Sequence, residues 1–535
     1  MTPISQLFGR ELKVINLGLA GFKQALDDAH VPAVQVDWKP PIAVDPKLLK
    51  RVETFRPAIE KANAEVVKII LSGMPHLVGL ERAIDVIPGM KPDMLLHAGP
   101  PITWDRMCGP MRGAVIGALL YERKAGSVEE AQRLAASGTI KFSPCHEHAA
   151  VGPMAGVISP SMPVFVLKNE TCGNHAYCTM NEGLGKVLRY GAYGEPVIQR
   201  LRWMENTLYP VLRKAVTKLG KIDLKNVIAQ ALHMGDEVHN RNRAATSLFY
   251  RTIAPAIVTT CDDPATTAEV LEFINHNDHF FLNLSMPASK VTLDAARGIK
   301  HSSIAVVMAR NGTDFGVQLA GTGAEWFTGP ADVPDALFFP GYSRADANPD
   351  IGDSAITETN GLGGFAIAAA PAIVQFVGGS SDDAIRYTQQ MYEITAAENN
   401  VYQIPSLNFR GTPTGIDVTK VIEKNILPFI DTGVAHKEPG VGQIGAGVLN
   451  APAEPFKKAF EGFAACQAPI SRRRDPCARS RRLPLRPRCR TRKAGRDDVI
   501  APRKGGAATD EPRPRGRSPH QKQSNGLRKT ASSRS

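Results

Sequence analysis

Short apolar runs alternate with helical patterns at the start of the chain. KVINLGL, which begins at Lys13, is typical of a strand, AGFKQALDDAH of a helix and VPAVQVDW of a second strand. This order is a βαβ unit, so we expect two parallel strands here. With helical patterns near residues 51–73 and 110–122, it indicates a Rossmann-like N-terminal α/β domain over residues 1–140. The first turn lacks a GxGxxG motif, and we expect no cofactor.

The later patterns predict a central mixed α/β region with a helical insertion. We assign residues 141–195 and 260–385 to a central α/β domain and residues 196–259, which are helical by pattern, to the insertion. HFFLNLSM, SSIAVVMA and FGVQLAG are typical of strands, and the Gly-rich residues 350–365 lead into an apolar helix. Residues 386–465 form the C-terminal part of the globular body. The predicted fold class is therefore α/β and multidomain.

The charge of the chain is concentrated at its C-terminal end. The whole sequence has a net charge of +12, but residues 466–535 carry 21 Lys and Arg against 5 Asp and Glu, which leaves 43 and 47 for the rest. This basic tail contains no Phe, Tyr or Trp, so we expect it to be disordered. One interpretation is an arm that binds nucleic acid non-specifically. The other is a frameshift product, which the absence of aromatic residues and RGG repeats favours.

Several features indicate a soluble cytoplasmic protein. The N-terminus lacks the charge and apolar pattern of a signal peptide. The longest apolar stretch is interrupted by Pro371 and rich in small residues, so we expect no membrane association. The cysteines of the first 465 residues form no paired framework, which fits a reducing compartment.

The stretch FSPCHEHAAVGPMAG, residues 142–156, places His146 and His148 beside a cysteine and a glutamate. In a strand, the two histidines would share one face. Cys145, Cys172, His175 and Cys178 would raise the number of soft-metal ligands to six. Their spacing matches no zinc motif, so we expect a polar corner at the edge of a strand and no metal.

The stretch ALHMGDEVHNRNRA, residues 231–244, is dense in polar side chains. So close a mixture of acid, imidazole, amide and guanidinium groups suits a small anionic substrate. A solvated helix face with ordinary ion pairs is the alternative. If a helix begins at Gly235, the residues on one face are Asp236, His239, Asn240 and Arg243, with Glu237 and Arg241 as an i,i+4 pair beside them.

Arg310 ends an apolar strand in MARNGTDFGVQLAG, where it could hold a carboxylate or phosphate. The following Asn-Gly pair predicts a hairpin turn, and a hairpin without a binding role is the alternative.

A Gly-rich stretch, DIGDSAITETNGLGGFAIAAAPAI, places Thr357 and Glu358 before Gly361, Gly363 and Gly364 at the start of the predicted apolar helix. Backbone N–H groups at a helix start favour an anion, and glycine permits close approach. Tight packing of the helix against a sheet is the other interpretation.

These motifs, together with CHEHAAVGPMAGVISPSMPVFVL and NEGLGKVLRYG, resemble the YlbE/AllG family over residues from about 12 to about 465. The chain departs from the family at residues 467–535. The resemblance implies a cytoplasmic transferase, a subunit of oxamate carbamoyltransferase that works with FdrA-like (AllF) and YlbF-like (AllH) partners. The complex would act late in anaerobic allantoin degradation, a branch of purine catabolism, where oxalurate and phosphate interconvert with oxamate and carbamoyl phosphate.

The resemblance also implies roles for the residues singled out. Carbamoyl transfer needs a held phosphate, a polarised carbamoyl oxygen and an amide nitrogen relieved of a proton. A structural or substrate-organising subunit, with the chemistry in a partner, is the alternative. We expect Arg241, Arg243 and Arg310 to bind anionic groups, Gly361–Gly364 to cradle phosphate, Asp236, Glu237 and Asn240 to accept substrate N–H groups, and His146, His148 or His239 to accept a proton.

Overall fold

The N-terminal βαβ unit forms as the sequence predicts. In the computed structural model of the chain, β1 (Val14–Leu17) and β2 (Ala33–Val36) pair in parallel and are joined by α1 (Ala20–Asp28). Among the described residues this sheet has two strands, so the structure does not confirm a larger Rossmann-like domain.

The structure describes residues 13–17, 19–36, 40–373 and 377–467. The predictions for the basic tail fall outside these ranges, except that the last helix extends to Cys466. All described residues belong to one unit of the chain by contact, and the domain boundaries within it stay a prediction.

Most strands beyond this unit pair antiparallel. One sheet has the order β7-β6-β3-β8, a second the order β11-β10-β9-β13, a third β12-β17-β16, and β14 pairs with β15, while β4 and β5 pair in parallel. The β9–β10 hairpin confirms the turn predicted after Arg310. The remaining strands are β3 (Pro75–Arg82), β4 (Met94–His97), β5 (Lys141–Pro144), β6 (Pro163–Asn169), β7 (His175–Thr179), β8 (Ile222–Asp223), β9 (Ala305–Asn311), β10 (Asp314–Leu319), β11 (Phe327–Pro330), β12 (Asp335–Phe338), β13 (Ile351–Gly352), β14 (Thr395–Ile404), β15 (Arg410–Ile416), β16 (Phe429–Ala435) and β17 (Gln443–Asn450).

The helices pack around these sheets, and residues 196–259 are mostly helical, as predicted. A π-helical turn, Met204–Leu208, lies between α6 and α7. The remaining helices are α2 (Pro46–Ser72), α3 (Ala83–Val86), α4 (Gly109–Tyr121), α5 (Val128–Ala136), α6 (Glu195–Trp203), α7 (Tyr209–Leu219), α8 (Leu224–His233), α9 (Arg243–Thr260), α10 (Pro264–Asn275), α11 (Leu282–Asp294), α12 (Ile356–Thr359), α13 (Ser381–Ile394), α14 (Val418–Lys424) and α15 (Ala453–Cys466).

Helix α11 corrects one strand prediction. The run HFFLNLSM was expected to form a strand, but its second half begins α11. Every side chain of α11 from Leu282 to Leu293 is buried, so the helix has no exposed face to impose a helical period on its sequence. A buried helix of this kind cannot be told from a buried strand by pattern alone.

The helix predicted after the Gly-rich stretch is also wrong. Residues 363–373 form three short 3₁₀ turns after the four-residue α12. Gly361 and Gly363 have φ of +85° and +55°, values that a right-handed helix excludes.

The largest apolar core lies where α7–α11 pack on the sheet that contains β3 and β6. Helix α11 therefore lies in the interior, where it contacts β3, β6, β7 and α12. None of the helices among the described residues is long and apolar enough to cross a membrane.

Candidate functional site

The segment between α8 and α9 carries most of the polar side chains that the sequence singles out. It is a loop, residues 234–242, so the helix predicted from Gly235 is wrong. Gly235 and Val238 have φ of +91° and +65°, which a right-handed helix excludes. The hydroxyl of Ser285 in α11 donates to the Val238 carbonyl over 2.9 Å and fixes the loop on the buried helix.

One side chain of this loop, His239, meets two carboxylates from distant parts of the chain. Its Nδ1 lies 2.6 Å from Oε1 of Glu358 and 3.0 Å from Oδ1 of Asp431. Glu358 comes from α12 and Asp431 from β16, and all three side chains are buried. We name these three residues the His239 centre.

The two carboxylates of the His239 centre differ in their hydrogen bonds. Glu358 accepts the Gly364 backbone N–H over 3.2 Å and the Thr357 hydroxyl over 3.0 Å, besides its contact with His239. Neither oxygen of Asp431 has a hydrogen-bond partner among the described residues. Because Nδ1 carries at most one hydrogen, its bond to Glu358 leaves Asp431 without a donor.

Burial and mutual charge set the protonation of this centre. Burial opposes the charge on His239, but Glu358 and Asp431 outweigh it and raise the pKa of the imidazole to about 10. Burial raises the pKa of Asp431 to about 6, although His239 acts in the opposite direction. Burial and the charge of Asp431 raise the pKa of Glu237. A histidine that stays protonated at neutral pH donates hydrogen bonds, so the geometry does not favour His239 as a proton acceptor.

Arg310 does not face a substrate site. Its Nε and Nη2 donate to the two oxygens of Asp350 over 2.6 and 2.9 Å. Its other N–H groups donate to the Gly352 carbonyl and to the hydroxyls of Ser354 and Thr432. Arg310 and Asp350 are both fully buried. The guanidinium is thus committed to the protein itself, and the expectation that it holds a substrate carboxylate or phosphate is corrected.

Asp236 and Glu237 both hydrogen-bond to the backbone around the loop. One Asp236 oxygen accepts the Ala245 N–H over 2.8 Å, in the first turn of α9. Burial raises the pKa of Asp236 to about 7. Its other oxygen, Oδ1, accepts no hydrogen bond among the described residues but lies 3.5 Å from the Nε of Arg241. Glu237 accepts the backbone N–H groups of His239 and Arg241. The predicted side-chain pair between Glu237 and Arg241 is therefore replaced by a backbone contact.

The other polar residues of this segment lie at different depths. Asn240 is buried, and its Nδ2 has no partner among the described residues. Arg241 is partly exposed and donates to the Gly235 carbonyl over 3.0 Å. Arg243 is 70% exposed and lies 3.7 Å from Asp278. Asn240 thus remains a candidate for substrate contact inside the protein, whereas Arg243 lies on the surface.

His146 and His148, from the stretch FSPCHEHAAVGPMAG, lie outside the His239 centre. Cys145–His148 form a 3₁₀ turn directly after β5, so His146 and His148 do not share a strand face. His146 is buried with Nε2 3.3 Å from Asp353, and burial lowers its pKa. One ring nitrogen of His148 contacts the Pro88 carbonyl over 2.6 Å, and the other a serine hydroxyl. The polar corner at the strand end exists, but no hydrogen bond or ion pair between described residues joins it directly to the His239 centre.

The predicted glycine cradle is a packing feature. A Cβ on Gly363 would collide with the Glu358 carboxylate and lie 3.0 Å from the Cβ of His239. A Cβ on Gly361 or Gly364 would collide with backbone carbonyls of neighbouring strands. Since no long helix starts here, the phosphate cradle loses its structural basis, and Gly363 instead lets α12 approach the loop.

Sequence reasoning missed two further buried groups besides Asp431, namely Arg189 and His279. Arg189 is buried, its Nη2 donates to the Gly183 carbonyl over 2.6 Å, and its Nε has no partner among the described residues. Burial together with the charges of Arg189 and His239 lowers the pKa of His279 to about 3. Asp431 could have been found as an acidic residue inside the apolar strand sequence FIDTGVA. A buried carboxylate needs a partner that offsets the cost of burying its charge.

The His239 centre is also where the structure gathers ligand atoms for a metal ion. Its nitrogen and two carboxylate oxygens lie within 4.8 Å of one another, and no other such group of three occurs among the described residues. The cysteines and histidines between Cys145 and Cys178 form no such group among the described residues.

The chain is similar to known proteins over most of its length. A family model described as oxamate carbamoyltransferase subunit AllG matches residues 140–354. The chain is 47% identical over 462 residues to the uncharacterized protein YahG of Escherichia coli K12, covering 85% of this chain and 98% of the relative. It is 46% identical over 410 residues to the oxamate carbamoyltransferase subunit AllG of the same organism, covering 76% and 98%. A crystal structure of a conserved protein of unknown function from Enterococcus faecalis V583 matches with a TM-score of 0.75 and 50% identity, over 76% of this chain and 98% of that one.

Proposed function

This chain belongs to the family of the oxamate carbamoyltransferase subunit AllG, and we propose that it is a catalytic subunit of such an enzyme. In this proposal the complex interconverts oxalurate and phosphate with oxamate and carbamoyl phosphate. FdrA-like and YlbF-like chains are its proposed partners, and anaerobic allantoin degradation is its proposed pathway.

The observation that carries the catalytic role is the convergence of two motif segments on one buried point. The loop of residues 234–242 and the segment around Glu358 meet at the His239 centre, with Asp431 from a third segment. Buried groups of opposite charge in such a place stabilise developing charge better than groups in water do. Packing alone requires no such group, because an apolar contact would fill the same space without the cost of burying charge.

Each step of carbamoyl transfer has a group suited to it in this interior. Nε2 of His239 lies on the side of the ring away from the carboxylates and is placed to donate to the carbamoyl oxygen. Asp236 is the proposed acceptor of the oxamate proton, because burial raises its pKa to about 7 and its Oδ1 accepts no hydrogen bond among the described residues, although it lies 3.5 Å from the Arg241 Nε. Arg189, with its free Nε, replaces Arg310 as the proposed group that holds phosphate or carboxylate.

One observation favours the alternative role of a structural or substrate-organising subunit. The side chains of Glu358 and Asp431 are fully buried, so a substrate reaches them only if the chain opens. In an organising subunit, the His239 centre would hold the fold together while a partner performs the chemistry.

The experiment that separates the two roles uses the whole complex. The chain is co-expressed with the two proposed partners, and phosphate-dependent cleavage of oxalurate is measured. We expect Asp236→Asn and His239→Asn to reduce the rate at least 100-fold while the complex still assembles. His148→Gln is the matched control, because His148 contacts Pro88 and a serine instead. A complex that assembles and keeps its rate in both variants would establish the organising role.

The identity of the carbamoyl acceptor requires a separate experiment. YahG and AllG are almost equally similar to this chain, and the name of YahG carries no activity. Oxamate should therefore be compared with other small amides and amines as carbamoyl acceptors of the same complex. A clear preference for another acceptor would retain the reaction type and change the substrate.

A further inference from the structure

We propose that the His239 centre binds one divalent metal ion through Nδ1 of His239 and a carboxylate oxygen each of Glu358 and Asp431. These three atoms already lie within 4.8 Å of one another. One nitrogen and two oxygen atoms from three separate segments form a set that a single ion can bridge.

The state of Asp431 is the independent reason to expect a cation. Its carboxylate is fully buried, and neither oxygen has a hydrogen-bond partner among the described residues. Its one ion-pair partner among those residues is the His239 Nδ1 at 3.0 Å from Oδ1, whose hydrogen is directed to Glu358, and buried carboxylates in proteins are paired or coordinate metals. Helix packing alone gives no reason for an acidic side chain at this position of β16.

The charges of the His239 centre are a further reason to expect a cation. Glu358 and Asp431 bring two carboxylates to one buried point, and His239 brings at most one positive charge. The nearby Arg310 is already neutralised by its bidentate pair with Asp350. A doubly charged ion that displaces the Nδ1 proton of His239 would balance the two carboxylates where water cannot, and its binding would release that proton.

The distances fit an ion after a small adjustment. Nδ1 of His239 lies 2.6 and 3.0 Å from the two carboxylate oxygens. Ligand atoms about 2.1 Å from a shared zinc ion lie about 3.0–3.4 Å apart, so the side chains need to separate by less than about 1 Å. The mixed nitrogen and oxygen ligands favour Zn²⁺ or Mn²⁺ over Ca²⁺, which prefers oxygen alone, and over Cu(I), which prefers sulfur.

The ion would also orient His239 for the role proposed above. With Nδ1 bound to the metal, the imidazole ring is fixed with Nε2 on its opposite side. The metal proposal nevertheless does not depend on carbamoyl transfer, because it concerns this chain without substrate or partners.

The test is a metal titration of the full-length purified chain after chelation and dialysis. Mn²⁺ is the probe, followed by electron paramagnetic resonance and calorimetry, with Zn²⁺ as a competitor. We expect one Mn²⁺ per chain and at least a 30-fold loss of affinity in Asp431→Asn and in Glu358→Gln. The matched controls are Asp335→Asn, a surface carboxylate, and His148→Gln, and both should bind as the unmodified chain does.

Two outcomes would overturn the proposal. One is an unmodified chain that binds much less than one Mn²⁺. The other is binding that persists unchanged in Asp431→Asn and Glu358→Gln, which would place the ion elsewhere, for example on the cysteines and histidine of the tail. If either variant fails to fold, as judged by its unfolding transition, His239→Asn takes its place.

Discussion

Replacement of Arg310 distinguishes a structural arginine from a substrate-binding one. The sequence suggested that Arg310 holds an anionic substrate, whereas the structure pairs it with Asp350, Gly352, Ser354 and Thr432. Arg310→Met would leave the Asp350 carboxylate buried without its counter-charge. We therefore expect the main effect of this substitution to be on stability.

The size of that effect follows from the burial of the pair. Arg310 and Asp350 are both 0% exposed, and their two parallel hydrogen bonds measure 2.6 and 2.9 Å. Removing one partner of such a buried pair costs about 3–5 kcal/mol, because the other charge stays behind. A total stability of about 5–15 kcal/mol means that the variant stays folded but unfolds at clearly lower denaturant.

A double-mutant cycle measures the interaction directly. Urea unfolding is followed by tryptophan fluorescence for the unmodified chain, Arg310→Met, Asp350→Asn and the double variant. In the Asp350→Asn background, Arg310→Met should cost about 2 kcal/mol less, since no carboxylate is left unpaired. A cost below about 1 kcal/mol in the unmodified background, with weaker phosphate binding, would refute this reasoning and restore the substrate-binding role.

Further predictions concern Gly363, Asp236 and the basic tail. Gly363→Ala should lower the free energy of unfolding by about 2 kcal/mol more than Gly138→Ala. Both glycines have positive φ, but only at Gly363 does the new Cβ meet Glu358. Equal losses in urea unfolding would exclude that collision. Asp236 contributes stability that is fully present below pH 3.8 and is lost as the pH rises through about 7. The unmodified chain should therefore lose stability relative to Asp236→Asn, whose side chain does not titrate, over that range, and a difference that is independent of pH would contradict the raised pKa. Deletion of residues 468–535 should leave the melting temperature and partner assembly unchanged while moving the pI from basic to acidic, and a lower melting temperature would show that the tail supports the fold.

The sequence predicted the local elements whose pattern is confined to neighbouring residues. The βαβ unit of β1, α1 and β2 and the hairpin after Arg310 both follow from short runs of residues. Helix α11 was missed because its side chains are buried all round, so periodicity carries no information there. The helix expected from Gly235 was wrong because Val238 adopts a left-handed conformation that is fixed by Ser285, a contact invisible in the local pattern.

The candidate site was predictable only in its parts. His239 and Glu358 were singled out by the polar density of their own segments, yet nothing in the sequence placed them 2.6 Å apart. Asp431 was missed because it lies in a strand whose other features are apolar, and its importance depends on a contact with a residue about 190 positions earlier. For Arg310 the sequence suggested a substrate-binding role that the structure does not support. A charged residue at a strand end gave no sign of a buried internal partner.

The sequence separation within the His239 centre has a consequence for folding. Glu358 and His239 are 119 residues apart along the chain, and Asp431 lies further still. Closing loops of this length costs entropy before any contact is made, so non-local contacts form slowly. The three charged groups therefore remain hydrated through most of the folding reaction and lose their water only when the surrounding sheets and α11 have assembled. The dehydration of this centre is then a late step, and solution conditions that ease it should change the folding rate of the whole unit.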